Sequence, residues 1–280
     1  MKANMASQTA VVVAAGTVIT SREPRFQNLV TESARRFAQD FVRAARPGSM
    51  LPALIEQRWF RNVMSLVQSV TIPGLFRHHI LRKAFIERQA RLSLQEGIRS
   101  FVVVGAGFDS LALRLAPEFP GVQFVELDHP ATQRVKRRAL GSFPENLRFE
   151  SVDLGSELPT PEVATPALTI VEGVLMYIPL ETVEKILRHI GQSQGALIFT
   201  FMERLTVGRI GFYNQTWLAD LWLKRKSEPF KWDASQTEIE AILVEAGFTR
   251  IEFWNSEKYH AAFGHGDGLA RGETICIART

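Results

Sequence analysis

Cysteine occurs once among the 280 residues, at Cys276 in the apparent strand TICIA, which excludes a disulfide framework and a cysteine-based zinc site. Long apolar runs are missing too. The longest near the start, TAVVVAAGTVI at 9–19, is too short to cross a bilayer and has only Lys2 as a positive flank, so neither a membrane span nor a signal peptide is expected. No repeat or low-complexity tract interrupts the chain. With 46% apolar residues and a mean hydropathy near zero, it reads as a soluble globular protein with a cytoplasmic address by default.

The formal charge of +4 conceals an asymmetry, because residues 1–100 hold 15 Lys/Arg against 6 Asp/Glu while the remainder holds 18 against 23. Those arginines recur at helical spacing through apolar stretches, and no glycine-aromatic stacking motif accompanies them. A solvated helix surface is therefore expected, not a nucleic-acid face. A minority of the arginines could meet an anionic ligand.

What is present starts at residue 101. FVVVGAGFDSLALRLAPEFPGVQFVELD joins a β-rich run, a Gly-Ala-Gly turn, an amphipathic helix and a second β-rich run ending in two acids, the front half of a nucleotide-binding βαβ unit. Gly105 and Gly107 can take the angles of a tight turn and let a ligand lie against the main chain. About twenty residues on, Asp128 closes the second strand, where a carboxylate accepts both hydroxyls of a ribose. A dinucleotide fold would place a third glycine at 110, but the chain has Ser110 preceded by Asp109. An acid at that helix start repels a diphosphate and suits a cationic, phosphate-free ligand such as S-adenosylmethionine. Methyl transfer is thus favoured over hydride transfer.

Residues 26–45 place apolar side chains at three- and four-residue intervals, and 50–70 and 78–96 also read as helices, separated by Pro73-Gly74. Residues 1–97 are expected to form an N-terminal helical cap. From 98 to 280 the period changes: strands near 101–104, 122–127, 147–152, 168–171 and 195–202 alternate with helices near 109–116, 130–140 and 180–191. Such alternation predicts an α/β fold, a doubly wound Rossmann-like parallel sheet. Residues 203–234, rich in Arg, Lys and aromatics, interrupt it before the helix SQTEIEAILVEAGF and the strands TRIEFWN and ETICIART. They read as a lid insertion over the carboxyl ends of the strands, where open α/β sheets hold ligands.

Candidate site residues lie just past the strands. Gly105 and Gly107 follow the first, Asp128 the second, Asp153 the third and Glu172 the fourth. For an adenosyl sulfonium, Asp128 takes the ribose hydroxyls, Asp153 the exocyclic amine with Leu154 against the ring, and Glu172 the ammonium or the polar end of the methionyl group. Arg82, at the start of the last cap helix, can supply a cation for the methionyl carboxylate.

LRKAFIERQARLSLQEGIRSFVVVGAGFDSLALRL, FVELDHPATQRVKRRAL, SVDLGSEL and VEGVLMYIPLETVEKIL together resemble the leucine carboxyl methyltransferase family and its bacterial polyketide O-methyltransferase relatives, over residues 80–203. SEPFKW, EAGFTRIEFWNSEKYHAAF and LARGETICIA look like the bacterial branch. The resemblance implies S-adenosylmethionine as cofactor and a doubly wound sheet whose last strand is antiparallel. It matches Arg82 to the arginine for the methionyl carboxylate, Gly105 to the glycine turn, Asp128 to the ribose acid, Asp153 and Leu154 to the adenine contacts and Glu172 to the acid after the fourth strand. Departures are Ser110 for a usual threonine, Glu87 for aspartate, and Gln8 and Thr9 where eukaryotic members carry a lysine for the cofactor.

A carboxylate acceptor, with a pKa of about 4, is ionised at neutral pH and needs no general base. No His-Asp pair stands in an evident catalytic setting; His78, His79, His129 and His189 read as packing or surface histidines. The expectation is therefore O-methylation of a carboxylate on a small molecule or peptide in secondary metabolism. Methylation of a phenolic or enolic hydroxyl is the alternative, and an NAD(P)-dependent oxidoreductase a remote one. Arg204, Arg209 and Arg271 are candidates for an acidic acceptor, and Tyr177, Tyr213 and Trp217 for the pocket wall. No metal site is expected, since His260, His265 and Asp267 lack the spacing of a helical ligand pair.

Overall fold

The computed structural model describes residues 7–205, 208–226, 230–266 and 268–280. Five helices come first: α1 (Gln8–Thr20), α2 (Glu32–Ala45), α3 (Leu51–Leu54), α4 (Arg58–Val70) and α5 (Leu75–Gln95). Strands and helices then alternate through β1 (Ser100–Val104), α6 (Leu111–Leu115), β2 (Gln123–Asp128), α7 (Pro130–Leu140), β3 (Leu147–Ser151), β4 (Ala167–Val171), α8 (Leu180–Gly191) and β5 (Gly195–Met202). After α9 (Trp217–Lys226) the chain closes with α10 (Gln236–Glu245), β6 (Arg250–Asn255), α11 (Ser256–Ala261) and β7 (Glu273–Arg279).

The seven strands form one sheet in the order β3-β2-β1-β4-β5-β7-β6. β1 to β5 pair in parallel, and β7 runs antiparallel to both β5 and β6, as the family resemblance implied. Between β1 and β4 the winding changes direction, and the carboxyl ends of these two strands flank the crevice where such folds take ligands.

Alternate residues of each central strand serve opposite cores, because successive side chains leave a strand on opposite faces. Phe101 and Val103 face one cluster with α1, α2 and α5, whereas Val102 and Val104 face another with α8 and α10. β7 divides the same way, with Ile275 and Ile277 against Cys276 and Ala278. Both faces are covered, and β1 and β4 at the centre are buried at every residue.

The helices before residue 97 share the first of these cores with the sheet. α1, the short apolar run of the sequence, is a helix with Val11, Val18 and Ile19 buried against α2 and α5. Its apolar residues surround the helix instead of marking one stripe, which removes the periodic signal. Among the described residues no helix is long and apolar enough to cross a membrane.

The insertion packs over the ends of β5 and the turn after β4 through Met176, Met202, Phe212, Ala219 and Ala270. Residues 206–207 and 227–229 of the expected lid lie outside the described residues, as does Asp267. The insertion returns to the sheet at its end, where Trp232 Nε1 donates to the Leu175 carbonyl at 2.7 Å and the Lys231 N–H to Met176 at 2.8 Å.

Candidate active site

A cavity of about 330 Å³ opens at the carboxyl ends of β1, β2 and β4. It brings together Arg82, Gly105, Gly107, Asp128, Asp153, Leu154 and Glu172, residues spread over 91 positions of sequence, with Tyr177 at the same wall. Lys83, Asp109, His129, Gly173, Lys231 and the first turn of α1 also line it.

The turn after β1 sets the floor. Gly105 has φ +69°, and a Cβ there would stand 2.3 Å from Val174 Cγ2, so only glycine fits both the backbone and the space. Its N–H and that of Ala106 donate to the Leu127 carbonyl at 2.7 and 3.2 Å, tying the turn to the end of β2. Gly107, φ +51°, donates its N–H to Asp128 Oδ2, and the His129 N–H reaches Asp128 Oδ1 at 2.6 Å. Each carboxylate oxygen keeps lone-pair capacity for a diol. Burial raises the Asp128 pKa above the usual aspartate value, against the pull of these two N–H groups.

Asp109 occupies the start of α6. Its Oδ1 accepts the N–H groups of Ser110 at 2.6 Å and Leu111 at 3.2 Å, so the donors that would bind a diphosphate are already taken by a carboxylate. Burial would raise its pKa, but Lys83, Arg114 and Lys136 hold it down to about 2. Behind the floor, the buried Glu126 meets Lys136 Nζ at 2.5 Å, and burial pushes its carboxyl up to about 6.

On the other side, Arg82 Nε donates to Glu172 Oε1 at 2.9 Å, and Lys83 Nζ lies 3.1 Å from both Glu172 and Asp109. Gln8 accepts from Arg46 and Thr9 lines the cavity. Lys83 is thus the second cation beside Arg82, and it follows Arg82 directly in the chain. Ser110 and Glu87, the departures from the family pattern, both bind Arg114 and tie α5 to α6 outside the cavity. Asp153 bends the chain by accepting the Gly155 N–H at 3.0 Å, which brings buried Leu154 to the rim.

Four acceptor-side candidates, and Arg209 with them, are not among the cavity-lining residues. Arg204 is exposed and pairs with Asp233 and Glu238; Arg271 is exposed and 3.8 Å from Glu257. Tyr213 and Trp217 stand out to solvent, because the buried side of the insertion is made by Phe212 and Ala219. Arg209 turns to Phe212 and Asp220. The cavity residues that sequence reasoning missed are Lys83, Lys231 and Gly173. Position just past a strand could have found Gly173; Lys231 carried no such signal.

This geometry is that of a Rossmann-like α/β fold with a cavity at its switch point. The family model for leucine carboxyl methyltransferase matches residues 10–191, and the chain belongs to that family. A proposed S-adenosyl-L-methionine-dependent methyltransferase of Mycobacteroides abscessus is 33% identical over 124 residues, 41% of each chain. One of the same description from Mycobacterium ulcerans is 26% identical over 201 residues, 67% of this chain and 63% of that one. The chain spans about two fifths of the length of the first curated relatives it matches. The crystal structure of human N-acetylserotonin methyltransferase with SAM aligns at 16% identity and a TM-score of 0.48, covering 89% of this chain and 68% of that one.

Proposed function

We propose that the protein is an S-adenosylmethionine-dependent O-methyltransferase that forms a methyl ester on a carboxylate of a small molecule or peptide in secondary metabolism. One observation supports the cofactor: Asp128 is held beside the glycine turn at the end of β2 while Asp109 fills the helix start that a diphosphate would need. The donor set fits the group. Gly105 and Gly107 allow close approach, Asp128 would take the ribose hydroxyls, Asp153 and Leu154 the adenine, Glu172 the ammonium, and Arg82 with Lys83 the methionyl carboxylate. When bound, S-adenosylmethionine supplies an electrophilic methyl group on a good leaving group.

What remains for the protein is to hold the acceptor in line and dry, which supplies much of the rate of such a displacement. Lys231 and Tyr177 line the cavity beside Ile178 and Pro179. Among the described residues no carboxylate lies within ion-pair distance of Lys231, whereas Arg82 and Lys83 are both paired. That leaves Lys231 as the cation for an acceptor carboxylate. Among the described residues the one imidazole on the cavity wall, His129, accepts the Ala131 N–H on Nδ1 at 3.2 Å at the start of α7. An ionised carboxylate needs no base, which favours it over a phenol or enol. A cytoplasmic setting is part of the same reading, consistent with the unpaired, buried Cys276.

Calorimetric titration with S-adenosylhomocysteine, beside NADH, tests the cofactor. Binding of the first alone is expected; binding of NADH alone would return the site to the dehydrogenases. Incubation with methyl-labelled S-adenosylmethionine and a panel of carboxylic acids and phenols then tests the acceptor. Alkali-labile label, an ester, is expected; alkali-stable label alone would establish ether formation instead.

A further inference from the structure

In Arg82, Nε and Nη1 donate to two different carboxylates. Nε donates to Glu172 Oε1 at 2.9 Å, with Nη2 2.8 Å from the same oxygen. Nη1 donates to both oxygens of Glu273, at 2.9 and 2.7 Å. Among the described residues Nη2 makes the ion-pair contact with Glu172 and no hydrogen bond. Gly173, on the cavity wall, is the residue whose Cβ would come within 3.4 Å of Nη2.

Glu273 opens β7, is fully buried, and lies 191 residues from Arg82 in sequence. Its other partner is His78, whose Nε2 donates to Oε2 at 2.8 Å. His78 and Arg82 are four residues apart and share a face of α5, so one carboxylate bridges two consecutive turns. The far side of His78 is closed by the Tyr259 hydroxyl at 3.2 Å and His260 Nε2 at 3.1 Å. Ser256 Oγ fixes the strand end by donating to the Glu273 carbonyl at 3.2 Å and accepting the Gly272 N–H at 3.0 Å. Burial alone would raise the Glu273 pKa, but Arg82 and His78 hold it far below the usual carboxylate range. It is therefore a fixed anion.

We propose that Glu273 is a positioning residue for cofactor recognition: by holding Nη1 through both oxygens it keeps the Nη2 edge of Arg82 turned to the cavity, where the methionyl carboxylate is bound. Glu273 does not line the cavity. The inference rests on the adenosyl reading above. It differs from a purely structural role, in which Glu273 would only neutralise a buried guanidinium, because it affects one part of the ligand and not the other.

The test compares wild type, Glu273→Asp and Glu273→Gln in calorimetric titrations with S-adenosylhomocysteine and with 5′-methylthioadenosine, which has the adenosine and thioether without the amino acid. Glu273→Asp keeps the charge and withdraws the carboxylate by one methylene. Glu273→Gln keeps the length and sets an N–H where Arg82 and His78 already point donors. In both, affinity for S-adenosylhomocysteine should fall at least about tenfold, the size of one charge-assisted hydrogen bond, while that for methylthioadenosine holds. Methylthioadenosine binding also reports that the variant is folded, and either folded variant suffices for the comparison. Equal losses for both ligands, or no loss for S-adenosylhomocysteine, would overturn the proposal. Wild type binding neither ligand would instead overturn the adenosyl reading itself.

Discussion

The Gly107 N–H donates to Asp128 Oδ2, so the turn after β1 fixes the orientation of the acid at the end of β2. The His129 N–H fixes the other oxygen. Two oxygens so held cannot both be replaced by an amide. Asp128→Asn keeps one acceptor and turns an N–H toward a backbone donor; affinity for S-adenosylhomocysteine should fall by about tenfold or more, by the size of a charged hydrogen bond. The cooperative thermal transition should persist. Wild-type affinity in calorimetry would remove Asp128 from the site.

The two glycines of the turn should respond differently to one methyl group. At Gly107 the nearest atom to an added Cβ is Ala10 Cβ at 3.5 Å, an ordinary contact, so Gly107→Ala meets mainly the left-handed backbone, a cost of roughly 1–2 kcal/mol. At Gly105 the Cβ would press on Val174 at 2.3 Å as well. Denaturant unfolding should therefore rank Gly105→Ala well below Gly107→Ala in stability, and a reversed order would show that the turn relaxes.

Much of this was legible in the sequence because strand alternation, a Gly-Ala-Gly turn and acids at strand ends are local signals. The five parallel strands and the residues around Asp128 needed no knowledge of the partner segments. α1 was not legible: Val11–Val13 with Thr17–Ile19 has no polar side, so the run shows hydrophobicity without a period. Glu273 was not legible either, since its role depends on Arg82 and His78, nearly two hundred residues away. Arg204, Tyr213 and Trp217 stand out in the sequence by composition, but composition does not say which side of an insertion faces the sheet. Phe230 and Lys231, at its end, are the residues that approach Tyr177 and the cavity.

Lys231 separates the two acceptor readings. Lys231→Met keeps much of the aliphatic stem and removes the charge, so S-adenosylhomocysteine affinity should be unchanged. With a carboxylate acceptor from the panel, KM should rise about tenfold, the order of one lost charged contact, with kcat little altered. An unchanged KM would place the acceptor carboxylate elsewhere.

Stability should decline in acid through three buried histidines. His78, His79 and His260 all have pKa values lowered by burial, His260 to about 3, while the unfolded chain titrates near 6.5. Between those values the unfolded state binds protons that the folded state refuses. Stability is therefore complete above about pH 6.5 and falls as the pH drops, by up to about 1.4 kcal/mol per pH unit for each histidine. Glu126 acts in the opposite sense: its pKa, raised from 4.5 to about 6, lets the folded state take a proton first and recovers some stability between those values. Asp128, whose pKa burial also raises, acts in the same sense as Glu126, and three histidines against these two carboxyls leave a net loss. Urea midpoints measured from pH 8 to pH 5 should fall steadily below 6.5, and the slope should lessen by about one histidine's share in His260→Gln. A midpoint independent of pH over that range would mean that these imidazoles are protonated inside the fold, and with them the neutral packing of His78 against Glu273 would have to be abandoned.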